Sequence, residues 1–346
     1  MPLYFHPIYN TKQLPASHRF PMQRYTAVHN LMSAVMSPER IRWASPTPVP
    51  NDALLAVHDH DYVHRFRQGA LSKDEQRNIG FPWMPEFVQR TELITGATWG
   101  AMHDALALPG GVAANQAGGT HHAFPDHGEG FCIFNDLAVC AHGACHAPVD
   151  VSPGTPRIRR VVIIDLDVHQ GNGTAACTAQ DPRIVTLSVQ GQKQYPWDTA
   201  RASTIDVEVP DGAGDEVYLA CVERGLSHLS QYLAQHPPIP AELHAGMAMH
   251  ATLRSPQHVG ADLVMFQAGV DPLTADRLGR LNVTRTGLHK RNAMVYQWVQ
   301  AAQAPLVVTM GGGYARPIEL SARAHVDVFQ QAAQLSWDRC LHTVTE

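Results

Sequence analysis

Charge is scarce in this chain of 346 residues: 16% are Asp, Glu, Lys or Arg, against 45% hydrophobic. Apolar residues spread along the whole length, which excludes a disordered or fibrous protein. Basic residues do not outnumber acidic ones, 26 against 31. The overall positive field that direct nucleic-acid binding requires is therefore missing. No stretch reaches the ~18 consecutive apolar residues of a membrane span. The opening Met1-Pro2-Leu3-Tyr4-Phe5-His6-Pro7 has no basic segment leading into an apolar run, so neither a membrane segment nor a secretory leader is predicted. The six cysteines, Cys132, Cys140, Cys145, Cys177, Cys221 and Cys340, include no C-x-x-C pair, which excludes a zinc ribbon or a thioredoxin-type motif. In so long a chain they are expected as buried thiols of a reducing compartment, hence a cytoplasmic protein. Repeats and low-complexity tracts are lacking too. Proline-rich stretches at 45–50, 148–156 and 235–240 read as surface loops. No composition shift marks a boundary, so residues 1–346 are read as one catalytic domain, and nothing indicates an oligomeric state.

Histidine is what the chain has in excess, with 21. It titrates near neutrality and is the commonest metal ligand, so an acid–base or metal enzyme is expected. Short apolar runs without polar alternation at 111–115, 160–165, 184–189, 262–267 and 305–310 predict strands covered on both faces. Helical spacing at 85–108, 215–234 and 288–301 falls between them, and the alternation predicts an α/β fold with a mostly parallel sheet. In such sheets the loops beyond the strand carboxyl ends form the binding crevice.

The suggestive residues fall in those loops. Asp167 and His169 follow one predicted strand and Asp271 another, a plausible three-ligand metal set with an open position. Taken alone, a D-x-H reads as readily as a cap, and Asp271-Pro272 as a turn. His121-His122, after two glycines on an irregular loop, can both face a cleft and move protons, or be solvated loop histidines. Tyr314 follows three glycines and can donate to a developing oxyanion, or pack at a turn. No G-x-x-x-x-G-K-[ST] phosphate loop exists. His142 and His146 could share a metal at i,i+4, but a partly exposed helix face is the expectation. His58, His60 and His64 are expected on a polar face or at a cap. The histidines from His228 to His258 have no ligand spacing.

In order, Gly118-Gly119-Thr120-His121-His122-Ala123, Gly130-Phe131-Cys132-x-x-Asn135-Asp136, Asp165-Leu166-Asp167-Val168-His169-Gln170-Gly171-Asn172-Gly173, Gly269-x-Asp271-Pro272-Leu273-x-x-Asp276-Arg277-Leu278-Gly279 and Gly311-Gly312-Gly313-Tyr314 resemble the zinc-dependent histone deacetylase family. The match runs from about His18 past Tyr314. Gln170 with Gly171-Asn172-Gly173 looks most like the class IV branch.

The resemblance implies a three-layer α/β/α arginase/deacetylase-type domain and a metal, Zn²⁺ or Fe²⁺, on Asp167, His169 and Asp271. It makes His122 the general base toward a metal-activated water and then the acid toward the leaving amine. His121 becomes its electrostatic partner, held by Asp165, and Tyr314 the donor to the carbonyl oxygen. Gly130, Phe131, Tyr195 and Leu278 would line the tunnel for a lysine stem. Asp165, Asp167, His169 and Ser188 would hold a structural K⁺, mainly through backbone oxygens.

Asn172 stands where many members pair the second histidine with an aspartate, and so raises that histidine's pKa less. Tyr314 is retained where weakly active members carry histidine, so an active enzyme is expected. The activity implied is removal of acetyl or longer acyl groups from lysine side chains of proteins or peptides. Glycines 118, 119 and 311–313 leave room for a longer chain, or serve only their turns. The close alternative is an acylpolyamine amidohydrolase, whose acidic gatekeeper is matched here by the apolar Leu278. A non-catalytic acyl-lysine binding module would need a lost ligand or tyrosine. An arginase-like ureohydrolase would need more aspartates than this set supplies.

Overall fold

The structure, a computed structural model, describes residues 1–11, 14, 18–108, 111–146, 158–238 and 260–344. The proline-rich stretch 148–156, residues 239–240 of the third such stretch, and the histidines from 239 to 258 lie outside the described residues. The strands are β1 (Pro2–Tyr4), β2 (Arg42–Ala44), β3 (Val112–Asn115), β4 (Val161–Asp165), β5 (Ile184–Gly191), β6 (Ile205–Val209), β7 (Leu263–Gln267) and β8 (Leu306–Thr309). The helices are α1 (Arg24–Val35), α2 (Asn51–Leu55), α3 (His60–Gln68), α4 (Lys73–Ile79), α5 (Pro85–Ala107), α6 (Asp136–His146), α7 (Asn172–Thr178), α8 (Asp215–Gln235), α9 (Arg285–Ala302) and α10 (Glu319–Val344). All pairings among the described strands are parallel, in the order β2-β1-β3-β8-β7-β4-β5-β6.

The apolar runs work as expected, because successive side chains point to opposite faces and both faces are covered. From β4, Val161 and Ile163 join one core with Met102, Leu137 and Cys140 of α5 and α6. Val162 and Ile164 join the other, with Val222 of α8, Val295 of α9 and Phe329 of α10. Helices on both faces of one sheet make the three-layer α/β/α architecture that the sequence predicts.

Three strands escape the periodicity. β1 and β2 have only three residues each. β6, Ile-Asp-Val-Glu-Val, alternates because it is an edge strand with Asp206 and Glu208 exposed. The long α10 is likewise additional to the predicted helices.

Register places the site. Asn115 pairs with Thr309, Thr309 with Gln267, Gln267 with Asp165, and Asp165 with Ser188. This row is the carboxyl edge of the central strands, and the candidate residues lie on it or just beyond it. Among the described residues no helix is long and apolar enough to cross a membrane. None of the six cysteines forms a disulfide.

Candidate active site

The loop after β3 is held by the start of α6. The Asp136 carboxylate accepts from the backbone N–H of Gly119 at 3.1 Å and of Thr120 at 2.8 Å, and from the Thr120 and Thr98 hydroxyls. Gly118 is left-handed, φ 75°, and a side chain there would strike Asp136. That turn presents His121 and His122, both buried. Asn135 secures the same loop through the Ala123 carbonyl at 3.1 Å. His58 accepts from the Asn135 N–H and hydrogen-bonds the Phe124 carbonyl. It is buried, 2% exposed, which corrects the expectation of a polar face. His60 and His64 are exposed as expected, and Asp59 supplies the α3 cap.

The two histidines have different partners. His121 Nδ1 lies 2.7 Å from Asp165 Oδ2, and His122 Nδ1 lies 2.7 Å from Asn172 Oδ1. Burial opposes charge on His121, but the Asp165 and Asp167 carboxylates outweigh it and raise its pKa to about 9. Burial, and then the neighbouring His121 and His169, hold His122 well below the ordinary histidine value. Adjacent imidazoles are thus pushed apart, His121 toward the charged form and His122 toward the neutral one.

Asp167, His169 and Asp271 bring one ligand atom each within 4.8 Å of one another. His169 Nδ1 is 3.0 Å from Asp167 Oδ1 and 3.2 Å from Asp271 Oδ2. Asp271 Oδ1 accepts the Val168 N–H at 2.9 Å, whereas the buried Oδ2 has only the His169 ring beside it and no well-aligned hydrogen-bond donor. Burial and then the Asp167 charge raise Asp271 to about 8. Side chains at Gly269 or Gly312 would run into these carboxylates. Two buried carboxylates and an imidazole converging on one point, one carboxylate oxygen lacking a well-aligned donor, between glycine walls, fit a divalent cation. Gln267 carries no sequence signal; its Nε2 donates to Asp167 Oδ2 at 2.9 Å and so fixes the orientation of a candidate ligand.

Tyr314 is set by Asp276, whose carboxylate accepts the N–H groups of Tyr314, Leu278 and Gly279 at 2.6, 2.8 and 3.0 Å. Burial drives the phenol pKa far up, against the pull of Arg24, so it stays protonated. Gly130, Phe131, Tyr195 and Leu278 line one cavity of about 730 Å³ together with His122, His169 and Tyr314. Phe131 is left-handed, φ 68°, an unfavourable conformation for an aromatic residue. It is kept there by its N–H on the Ile79 carbonyl at 2.8 Å. A smaller cavity of about 50 Å³ adjoins it, sharing His122, Gly130, Phe131, His169 and Tyr314 and extending to Arg24, Tyr25, Arg90 and Gly118–Thr120. No sequence signal marked those arginines. Ser188 Oγ is buried without a partner beside Asp165.

A second triplet, His142, His146 and Asp181, also brings ligand atoms together. There the Arg183 guanidinium occupies the space, bound to Asp181 at 2.7 Å and against His146 Nε2. It remains the partly exposed helix face that the sequence suggests.

The Histone deacetylase domain pattern matches residues 18–329. An uncharacterized protein of Picosynechococcus sp. is 38% identical over 92% of this chain and 93% of its own length. Histone deacetylase 2 of Arabidopsis thaliana is 28% identical over 81% of this chain and 65% of that protein. Human Histone deacetylase 1 is 27% identical over 86% of this chain and 57% of that protein. Among solved structures, the HDA15 HD domain superposes with a TM-score of 0.71 at 20% identity, covering 99% of this chain and 96% of that one. An HDAC homolog complexed with SAHA gives 0.70 at 20%, covering 96% and 83%.

Proposed function

This chain belongs to the histone deacetylase family, and from that premise we propose that it is a metal-dependent amidohydrolase releasing acetyl groups from the ε-amine of lysine in proteins or peptides. The observation that carries the reading is the gathering of Asp167 and His169 with His122 and Tyr314 around one cavity, with Asp271 buried against the first two.

Asp167, His169 and Asp271 would hold Zn²⁺, or Fe²⁺ in the cell. When bound, such an ion supplies Lewis acidity toward water and the scissile carbonyl. His122, neutral and with Nδ1 on Asn172, takes a proton from the attacking water at Nε2. It returns that proton to the lysine nitrogen as the C–N bond breaks, releasing amine and carboxylate. His121, charged and braced by Asp165, stabilises negative charge beside it. Tyr314 donates its phenolic proton to the carbonyl oxygen as charge develops there. Gly130, Phe131, Tyr195 and Leu278 exclude water around the apolar lysine stem. Asp165, Asp167, His169 and the orphaned Ser188 hydroxyl would bind a structural K⁺.

The smaller cavity of about 50 Å³ is far tighter than the 730 Å³ cavity that holds the lysine stem. Its small size, with the Arg24 and Arg90 guanidiniums beside the apolar Phe20 and Ile94, supports acetyl over the longer acyl groups that the resemblance allows. The mouth argues against the polyamine alternative. Arg19, Arg277 and Arg316 line its flank, are exposed, and have no acidic partner among the described residues. Like charges there repel a polyamine. Six free thiols suit a cytoplasmic location.

The test is a panel of acetyl-lysine peptides and acetylpolyamines assayed with and without a chelator. Chelator-sensitive turnover of the peptides supports the reading. Turnover confined to the polyamines would replace it.

A further inference from the structure

We propose that Glu129 is a positioning residue for His122: it sets the orientation of the Asn172 amide and, through it, which nitrogen of the imidazole is free to act as base. The inference rests on the reading of His122 as the general base.

Glu129 is 7% exposed and sits immediately before the tunnel residues Gly130 and Phe131. Its backbone is fixed by reciprocal hydrogen bonds with Cys132, at 3.0 and 2.8 Å. Its Oε1 accepts from Asn172 Nδ2 at 2.9 Å and from the Thr199 hydroxyl at 2.7 Å. Asn172 Nδ2 also faces the Thr199 carbonyl at 3.3 Å and hydroxyl at 3.0 Å. Asn172 Oδ1 is turned to His122 Nδ1.

The chemistry of these atoms gives the order of cause. A carboxylate only accepts, so the Asn172 edge that faces Glu129 must be the NH₂. The opposite edge is then the carbonyl oxygen, which also only accepts. His122 Nδ1 must therefore carry the hydrogen, leaving the lone pair on Nε2, toward the cleft. An aspartate at position 172 would not need such help, because both of its oxygens accept. An asparagine does. Flipped, its NH₂ would face Nδ1 and favour the tautomer whose Nε2 is already protonated. A wrong tautomer of a catalytic histidine costs turnover by orders of magnitude. The departure at Asn172 and the buried carboxylate at Glu129 are thus two halves of one arrangement, 43 positions apart in sequence.

A double-mutant cycle on the zinc-loaded full chain separates orientation from packing. Glu129→Ala is expected to lower kcat about tenfold or more, with a much smaller change in KM. Asn172→Asp alone sets two carboxylates against each other, so in that background Glu129→Ala is expected to cost less than about threefold or to raise kcat. The ¹⁵N shifts of His122, assigned by difference from His122→Ala, are expected to report Nδ1–H in wild type and a shift toward Nε2–H in Glu129→Ala. Equal losses in both backgrounds, or an unchanged tautomer, would overturn the proposal. Glu129→Gln, which keeps the side-chain volume, runs the same cycle if the alanine variant does not fold. Retained activity in His122→Ala would instead sink the base assignment, a result distinguishable from failure of the cycle.

Discussion

The Nε2 of His58 accepts the backbone N–H of Asn135 at 2.9 Å, across 77 positions of sequence. Its Nδ1 sits 3.0 Å from the Phe124 carbonyl, so the ring is held as the neutral Nδ1–H tautomer between the two ends of the 124–135 loop, which directly follows His121 and His122. Protonation would turn Nε2 into a donor facing another donor.

That arrangement predicts an acid-sensitive fold. Burial lowers His58 from 6.5 to about 4, so between those values the unfolded chain binds the proton more readily. Stability rises with pH through this window and is lost as pH falls from about 6.5 toward 4. A gap of that size corresponds to ~3 kcal/mol when fully developed. Urea unfolding at pH 7.5 and pH 5 is expected to show a smaller loss for His58→Gln than for wild type; equal losses would remove His58 as the cause.

Metal retention is expected to depend on the buried triplet. Asp271→Ala or His169→Ala should weaken affinity by at least ~100-fold, since each removes one of three protein ligands. Elemental analysis after dialysis against a weak chelator reads this directly, and full occupancy in both variants would place the metal elsewhere.

Tyr314→Phe should lower kcat by ~100-fold or more with little change in KM, because the phenol acts on charge present only in the transition state. His122→Ala should be as damaging and His121→Ala milder. Steady-state kinetics on one acetyl-lysine peptide checks all three, and near-normal turnover in Tyr314→Phe would mean another group supplies the donor.

Acyl length should matter in one direction. Forcing extra methylenes into the small cavity by Arg24 and Arg90 displaces packed groups at ~1–3 kcal/mol, so octanoyl- and myristoyl-lysine should fall ~10-fold or more below acetyl-lysine in kcat/KM. Equal or rising values with length would show that the cavity opens.

The sequence alone was sufficient for the layered architecture, and it nominated the residues of the candidate site. Strands buried on both faces must be apolar throughout, and residues that end such strands must lie at one edge of the sheet. Asp167, His169, Asp271, His121, His122 and Tyr314 could therefore be picked out and placed in one crevice from pattern and family resemblance. What that pattern could not contain was the pairing between loops. His58 looks like a surface histidine in an acidic segment until the 124–135 loop closes over it. Glu129 carries no signal until α7 brings Asn172 against it, and the short β1 and β2 are strands only because neighbours supply their hydrogen bonds. Periodicity reports which side of an element is buried; it is silent on which polar atoms meet in irregular backbone. Those meetings are decided by the three-dimensional closure of the loops, where each buried donor and acceptor must find its partner.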